Sequence, residues 1–189
     1  MSAITDITRN IYPAGDATKD VARSVWKIGS EIYLRPKGLS VSADMLEHSL
    51  QEKPKDVVFY EDSDVVQKIK SDNDFLKHID DVVRKIENKI DLNNDDKSHS
   101  FGLGDLFYSI HGCEMYINNI KYNSDGTKDI SVHLHDTYDF TKIWTAMNEE
   151  KLDFSKISFG SVANDLGTFT TKYDAINPYN VDIYFTIRR

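Results

Sequence analysis

The chain has 189 residues, with 23 Lys and Arg against 31 Asp and Glu for a formal charge of -8, and 40% hydrophobic residues. That length builds a sizeable core without covalent staples, and the single Cys113 excludes both an internal disulfide and a four-cysteine zinc site. The acid excess is shared equally between residues 1–100 and 101–189, which argues against a basic nucleic-acid face, and no run approaches the ~20 apolar residues of a membrane-spanning helix. No basic segment leads into an apolar run at the N-terminus, so no ordinary signal peptide is expected.

The first half reads as helices. Asp16 is placed to cap a helix whose apolar residues Val21, Val25, Ile28 and Ile32 recur at helical spacing, ended by Pro36 and Gly38. A short second helix follows Ser42, with Met45, Leu46, Ser49 and Leu50 on one face and Pro54 as its stop. Asp62 or Ser63 opens a third through Val65, Val66 and Ile69. Asp72 or Asn73 opens a fourth through Phe75, Ile79, Val82, Val83, Ile86 and Ile90, the cleanest amphipathic stripe in the chain. The polar run from Asp91 to Ser100 is rich in turn formers and reads as a connecting loop.

Beyond residue 100 the apolar period shortens towards two. Leu106, Tyr108 and Ile110 alternate, as do Met115 and Ile117, then Ile120 and Tyr122 after the interruption at Asn118-Asn119. Asn123-Ser124-Asp125-Gly126 offers a hairpin turn, and Ile130, Val132 and Leu134 alternate with Ser131, His133 and His135. Residues 154–170 favour a short helix, and Asn180 to Ile187 a final strand. Of 21 aromatic residues, 15 follow residue 100, consistent with this change of period. The expected fold is α+β, with an N-terminal helical subdomain over residues 1–95 packed on a C-terminal antiparallel β-sheet over residues 100–189, the two forming one compact unit.

The segment richest in chemistry is Ser131 to Phe140. Continuing the alternation places Asp136 and Tyr138 on the core-facing side, with Asp139 where the strand ends. One reading is structural: a strand-end aspartate closing a turn beside a core tyrosine. The other is a pair of carboxylates, Asp136 and Asp139, that bind a hard cation such as Mg²⁺ or divide acid and base roles. On the opposite face, His133 and His135 have the spacing to bind a transition metal with a third ligand, although a solvated pair is the commoner outcome. Arg188 and Arg189 reach a phosphate only if the last strand ends beside the motif. Cys113 has no evident activating neighbour and reads as a small buried side chain.

Asp136-Thr137-Tyr138-Asp139-Phe140 resembles the Asp-X-Tyr-Asp-Phe signature of colicin M-like bacteriocins and the C-terminal domains of bacterial polymorphic toxins, and Gly104-Asp105-Leu106 is similar to a segment that precedes it. Thr145-Ala146 stands where that family carries a His-Arg pair. The resemblance implies Mg²⁺-assisted hydrolysis of lipid II, the lipid-linked peptidoglycan precursor, between undecaprenol and pyrophosphate. It assigns the site to Asp136, Tyr138 and Asp139, with Asp136 and Asp139 also holding the metal. It further implies export without a classical signal peptide, action in a target cell envelope and an immunity protein as partner, with no nucleic acid and no transmembrane segment. The alternative expectation is a noncatalytic interaction module, or a phage- or secretion-associated accessory protein, in the cytoplasm.

Overall fold

The computed structural model describes residues 16–102, 104–139 and 175–189. The fold is mixed α+β, with five α-helices and one five-stranded sheet among the described residues. In chain order these are α1 (Asp16–Gly29), α2 (Ser40–Ser49), β1 (Val57–Phe59), α3 (Asp64–Ser71), α4 (Asn73–Glu87), β2 (Ser98–Ser100), α5 (Gly104–Ile110), β3 (Gly112–Tyr122), β4 (Lys128–Tyr138) and β5 (Tyr179–Arg188). The chain divides into two compact units. Among the described residues one contains 16–37, 43–54, 139 and 175–178, and the other contains Gly38–Ser42, Lys55–Tyr138 and Tyr179–Arg189.

In the first unit, α1 runs into a π-helical turn (Ser30–Leu34) and a 3-10 turn (Arg35–Lys37). Ile28 and Ile32, expected on the apolar stripe, are exposed, whereas Ser30 and Leu34 are buried. Burial of Ser30 is tolerated because its hydroxyl donates to Glu47 Oε1 at 2.5 Å. Arg35 joins Glu31, Asp44 and Glu47 in one ionic network. Met45, Leu46, Ser49 and Leu50 of the α2 segment are buried as their spacing predicts. The Asn177 amide donates to Ser49 O at 2.9 Å.

The second unit is built on the sheet, in the order β1-β5-β4-β3-β2. β2, β3, β4 and β5 pair antiparallel, and β1 lies parallel to β5. The sheet is therefore mixed, and two of its strands come from sequence read as helical or loop. Both are three residues long, too short for a period to register. Beyond the two ends of β1 the carboxylates of Asp56 and Glu61 accept the backbone amides of Asn180 and Thr186 in β5, both at 2.9 Å.

One core face carries Ile130, Val132 and Leu134 of β4 with Val181, Ile183, Phe185 and Ile187 of β5, all buried. Phe75 of α4 meets Phe185 of β5 and Phe101, with ring centroids 6.1 and 5.8 Å apart, which seats the apolar stripe of that helix on this face. Ser63 caps α3 through the Val66 amide, and Asp72 caps α4 through the amides of Asp74 and Phe75. The interruption at Asn118 is a bulge: Ile117 pairs with Val132 and Asn119 with Ser131, leaving Asn118 as the extra residue. Gly126, at φ 85°, closes the β3–β4 hairpin in the left-handed conformation its turn requires.

The strand expected through Leu106, Tyr108 and Ile110 is instead helix α5. Its buried residues are Asp105, Leu106, Phe107, Ser109 and Ile110, a helical set, and burial of Phe107 contradicts alternation. A seven-residue segment fits both periods, so its tertiary partners decide. Asp105 supplies them: its Oδ2 accepts the Val41 amide at 3.0 Å and its Oδ1 the Ser42 amide at 2.8 Å and the Ser42 hydroxyl at 2.6 Å. Asp105 thus caps the first turn of α2 from another helix, and Lys68 Nζ completes the site 2.5 Å from Oδ2. Burial alone raises the Asp105 carboxyl, but Lys68, the Ser42 hydroxyl and the two amides outweigh it and hold the group below the usual carboxylate range.

Replacing Asp105 by Ala leaves Lys68 and two buried amides without their acceptor, and is expected to lower unfolding free energy by about 3 kcal/mol in urea denaturation. Lys68→Met is expected to lose less, because the amide bonds to Asp105 survive. Equal losses in the two variants would show that the capping bonds carry none of the difference.

Candidate functional site

Strand β4 sends two chemically different sets of side chains to its two faces. Asp136 and Tyr138 follow Ile130, Val132 and Leu134 on the core side, as the alternation predicts, while His133 and His135 lie on the outer face. Tyr138 is only 2% exposed and stacks on Tyr179 with centroids 5.2 Å apart, and burial raises its phenol well above the ordinary range. Asp136 is half-buried, opposite Val181 in register. Burial and, next, the charge of Asp136 push the Cys113 thiol up to about 12, which makes Cys113 an inert core residue. Burial and the same charge also raise the Tyr179 phenol. Asp139, half-buried, follows the strand and belongs to the other unit.

The antiparallel register separates the C-terminal arginines from the motif. Arg188 lies opposite Asp129, seven residues before Asp136 on β4, or about 23 Å at the rise of a strand. Both arginines are also engaged, Arg188 with Asp129 at 3.1 Å and Arg189 with Asp80. Phe140 and Thr145-Ala146 lie outside the described residues, as does the helix expected over 154–170.

On the outer face three potential ligands come together. Asp182 of β5 stands opposite His135 in register, and its Oδ1 lies 2.7 Å from His133 Nε2 and 2.9 Å from His135 Nδ1. The three ligand atoms are all within 4.8 Å of one another. Burial alone raises the Asp182 carboxyl, and the hydrogen bonds from the two imidazoles outweigh it, holding Asp182 below the carboxylate range. A ladder of rings crosses the sheet at the neighbouring register: Tyr60 on Tyr184 at 6.1 Å, Tyr184 on His133 at 4.3 Å with planes 8° apart, and His133 on Tyr116 at 5.4 Å. Sequence reading found the two histidines but not their partner. Asp182 occupies an outward position of a visible alternation, yet only the register of β4 on β5 brings it to them.

A second histidine pair lies on the helical side of the sheet. His78 Nδ1 and His99 Nδ1 are 3.0 Å apart, and His99 packs edge-on against Phe75 and Phe101 at 5.0 and 4.7 Å. The contact requires one unprotonated nitrogen as acceptor, so two imidazolium rings cannot share it. Burial and then the charge of His78 lower His99 to about 4, against the upward pull of Asp72 and Asp74. Burial and Lys85 lower His78, opposed by Asp96, Asp81 and Asp95.

No family model, no curated protein and no solved structure matches the chain. No helix among the described residues is long and apolar enough to cross a membrane.

The His99 geometry generates a pH dependence with a defined sign. The unfolded chain takes up the His99 proton near pH 6.5 and the folded chain only near 4, so stability is full above about 6.5 and falls as the pH drops through that window. Melting temperatures between pH 7.5 and pH 4.5 are expected to fall more steeply for the native sequence than for His99→Gln. Parallel curves would assign the acid sensitivity to other groups.

Proposed function

We propose that the chain is a bacterial toxin-type module that hydrolyses lipid II or a related polyprenyl-pyrophosphate. The observation that carries this reading is Asp136, a half-buried carboxylate at the end of an otherwise apolar strand face, within the Asp-Thr-Tyr-Asp-Phe signature. A carboxylate is rarely kept on such a face without a task. In this reading Asp136 and Asp139 are the reacting and metal-binding carboxylates. Tyr138 orients the strand end by its stacking on Tyr179. Carboxylates are the donors that Mg²⁺ takes, and that ion would supply charge neutralisation at the pyrophosphate, with much of its shell left to water and substrate. The reading includes export without a classical signal peptide, action in a target cell envelope and an immunity protein as partner.

A second reading, a noncatalytic interaction module, is favoured by two specific observations. Tyr138 is buried, and the Asp105 of Gly104-Asp105-Leu106 is fully occupied as a helix cap, so both parts of the sequence pattern have architectural roles.

Purified protein incubated with lipid II and Mg²⁺ distinguishes the two. The hydrolase reading expects release of undecaprenol by the native chain, loss of nearly all cleavage in Asp136→Asn and in Asp139→Asn, and melting temperatures close to native in both. Lipid II left intact over hours by the native protein rejects it in favour of the interaction module.

A further inference from the structure

The geometry points to a binding site for a borderline divalent cation, Zn²⁺ above all, on the outer face of the sheet, held by His133 Nε2, His135 Nδ1 and Asp182 Oδ1. The site lies on the opposite face from Asp136 and stands apart from the hydrolase reading.

The donor set selects the ion. Two imidazole nitrogens and one carboxylate oxygen suit Zn²⁺, Ni²⁺ or Cu²⁺, whereas Mg²⁺ and Ca²⁺ take shells of oxygen. The two oxygen–nitrogen separations are close to those around a ligated ion. Around tetrahedral Zn²⁺, with bonds of about 2.0–2.1 Å, ligand atoms lie about 3.3 Å apart. Here Oδ1 lies 2.7 and 2.9 Å from the two nitrogens, so an ion lengthens those two separations by a fraction of an ångström, and all three ligand atoms already lie within 4.8 Å of one another. The protons that these nitrogens donate to Asp182 move to the other nitrogen of each ring when metal replaces them.

Three features hold the ligands in place before any ion arrives. His133 and His135 are two residues apart on one strand, so their Cβ atoms leave the same face. The β4–β5 pairing sets Asp182 opposite His135. Tyr184 and Tyr116 sandwich the His133 ring and restrict its rotation. The side chains of His133, His135 and Asp182 are 20%, 35% and 25% exposed, which leaves further coordination positions open to water or a ligand. Such a three-ligand site is of the open type rather than the closed structural type.

The test uses the full chain, freed of metal by chelation, and ZnCl₂ alone. Calorimetry is expected to give a one-to-one isotherm for the native protein, weakened at least about tenfold in Asp182→Asn and in His135→Ala, and unchanged in the control His78→Gln. Replacing zinc by Co²⁺ is expected to give visible d–d absorption without a thiolate charge-transfer band. This second readout needs no variant, so it decides the matter even where a substitution unfolds the chain. Absence of zinc binding, absence of the cobalt spectrum, or folded variants that bind as tightly as the native chain would each overturn the site.

Discussion

Ten consecutive residue pairs, from Asp129 with Arg188 to Tyr138 with Tyr179, join β4 to β5, and most of the chemistry of the sheet unit follows from that register. Because side chains alternate, the pairing aligns Val132 with Phe185 and Leu134 with Ile183 on the core face. It also assembles His133, His135, Asp182 and Tyr184 on the other. A slip of one residue in β5 would carry Asp182 and Tyr184 into the core and expose Ile183 and Phe185. Burial of the four apolar residues of β5 thus fixes the position of a carboxylate that contributes nothing to burial itself. The polar cluster inherits its geometry from the apolar one.

Carboxylates perform local architectural work in this acidic chain. Asp72 closes the start of α4 within its own segment, and Asp96 is buried against Lys85 at 2.5 Å in the stretch that reads as solvated loop. Asp105 acts over a much longer sequence distance, on α2. Burial and pairing oppose one another at each buried acid, and the direction of the Asp105 and Asp96 carboxyls shows pairing to prevail. A negative formal charge, read as composition, says little about partners once so many of its members are tied to amides and ammonium groups.

Features set by local spacing were legible in the sequence. The stripe of α3, that of α4 as far as Val83 but not to its expected end at Ile90, which is exposed beyond the helix, the caps at Ser63 and Asp72, the break at Asn118, the turn at Gly126 and the parity of Asp136 all depend on neighbours within a few residues. What was not legible depends on distant partners. The segment Leu106 to Ile110 carries a pattern consistent with strand or helix, and the choice is made by Asp105 reaching residues more than sixty positions earlier. Ile28 is exposed where its spacing predicts burial, whereas Ser30 is buried with its hydroxyl satisfied by the distant Glu47. At the candidate site the two histidines share a strand and could be paired by eye. Asp182 is 47 residues beyond His135 and joins them only through strand register.

The junction of β1 with β5 bears on how the molecule avoids its own kind. Among the described residues β1 covers only Val181 to Ile183, and a strand edge beyond such a stretch offers amides to an extended segment that approaches. On either side of the covered stretch, at Asn180 and Thr186, those amides are already engaged by Asp56 and Glu61. An incoming strand from a second copy would have to displace both carboxylates and then lie beside negative charge. Two side chains from the flanks of a three-residue strand therefore occupy the β5 amides that a longer β1 would otherwise have paired.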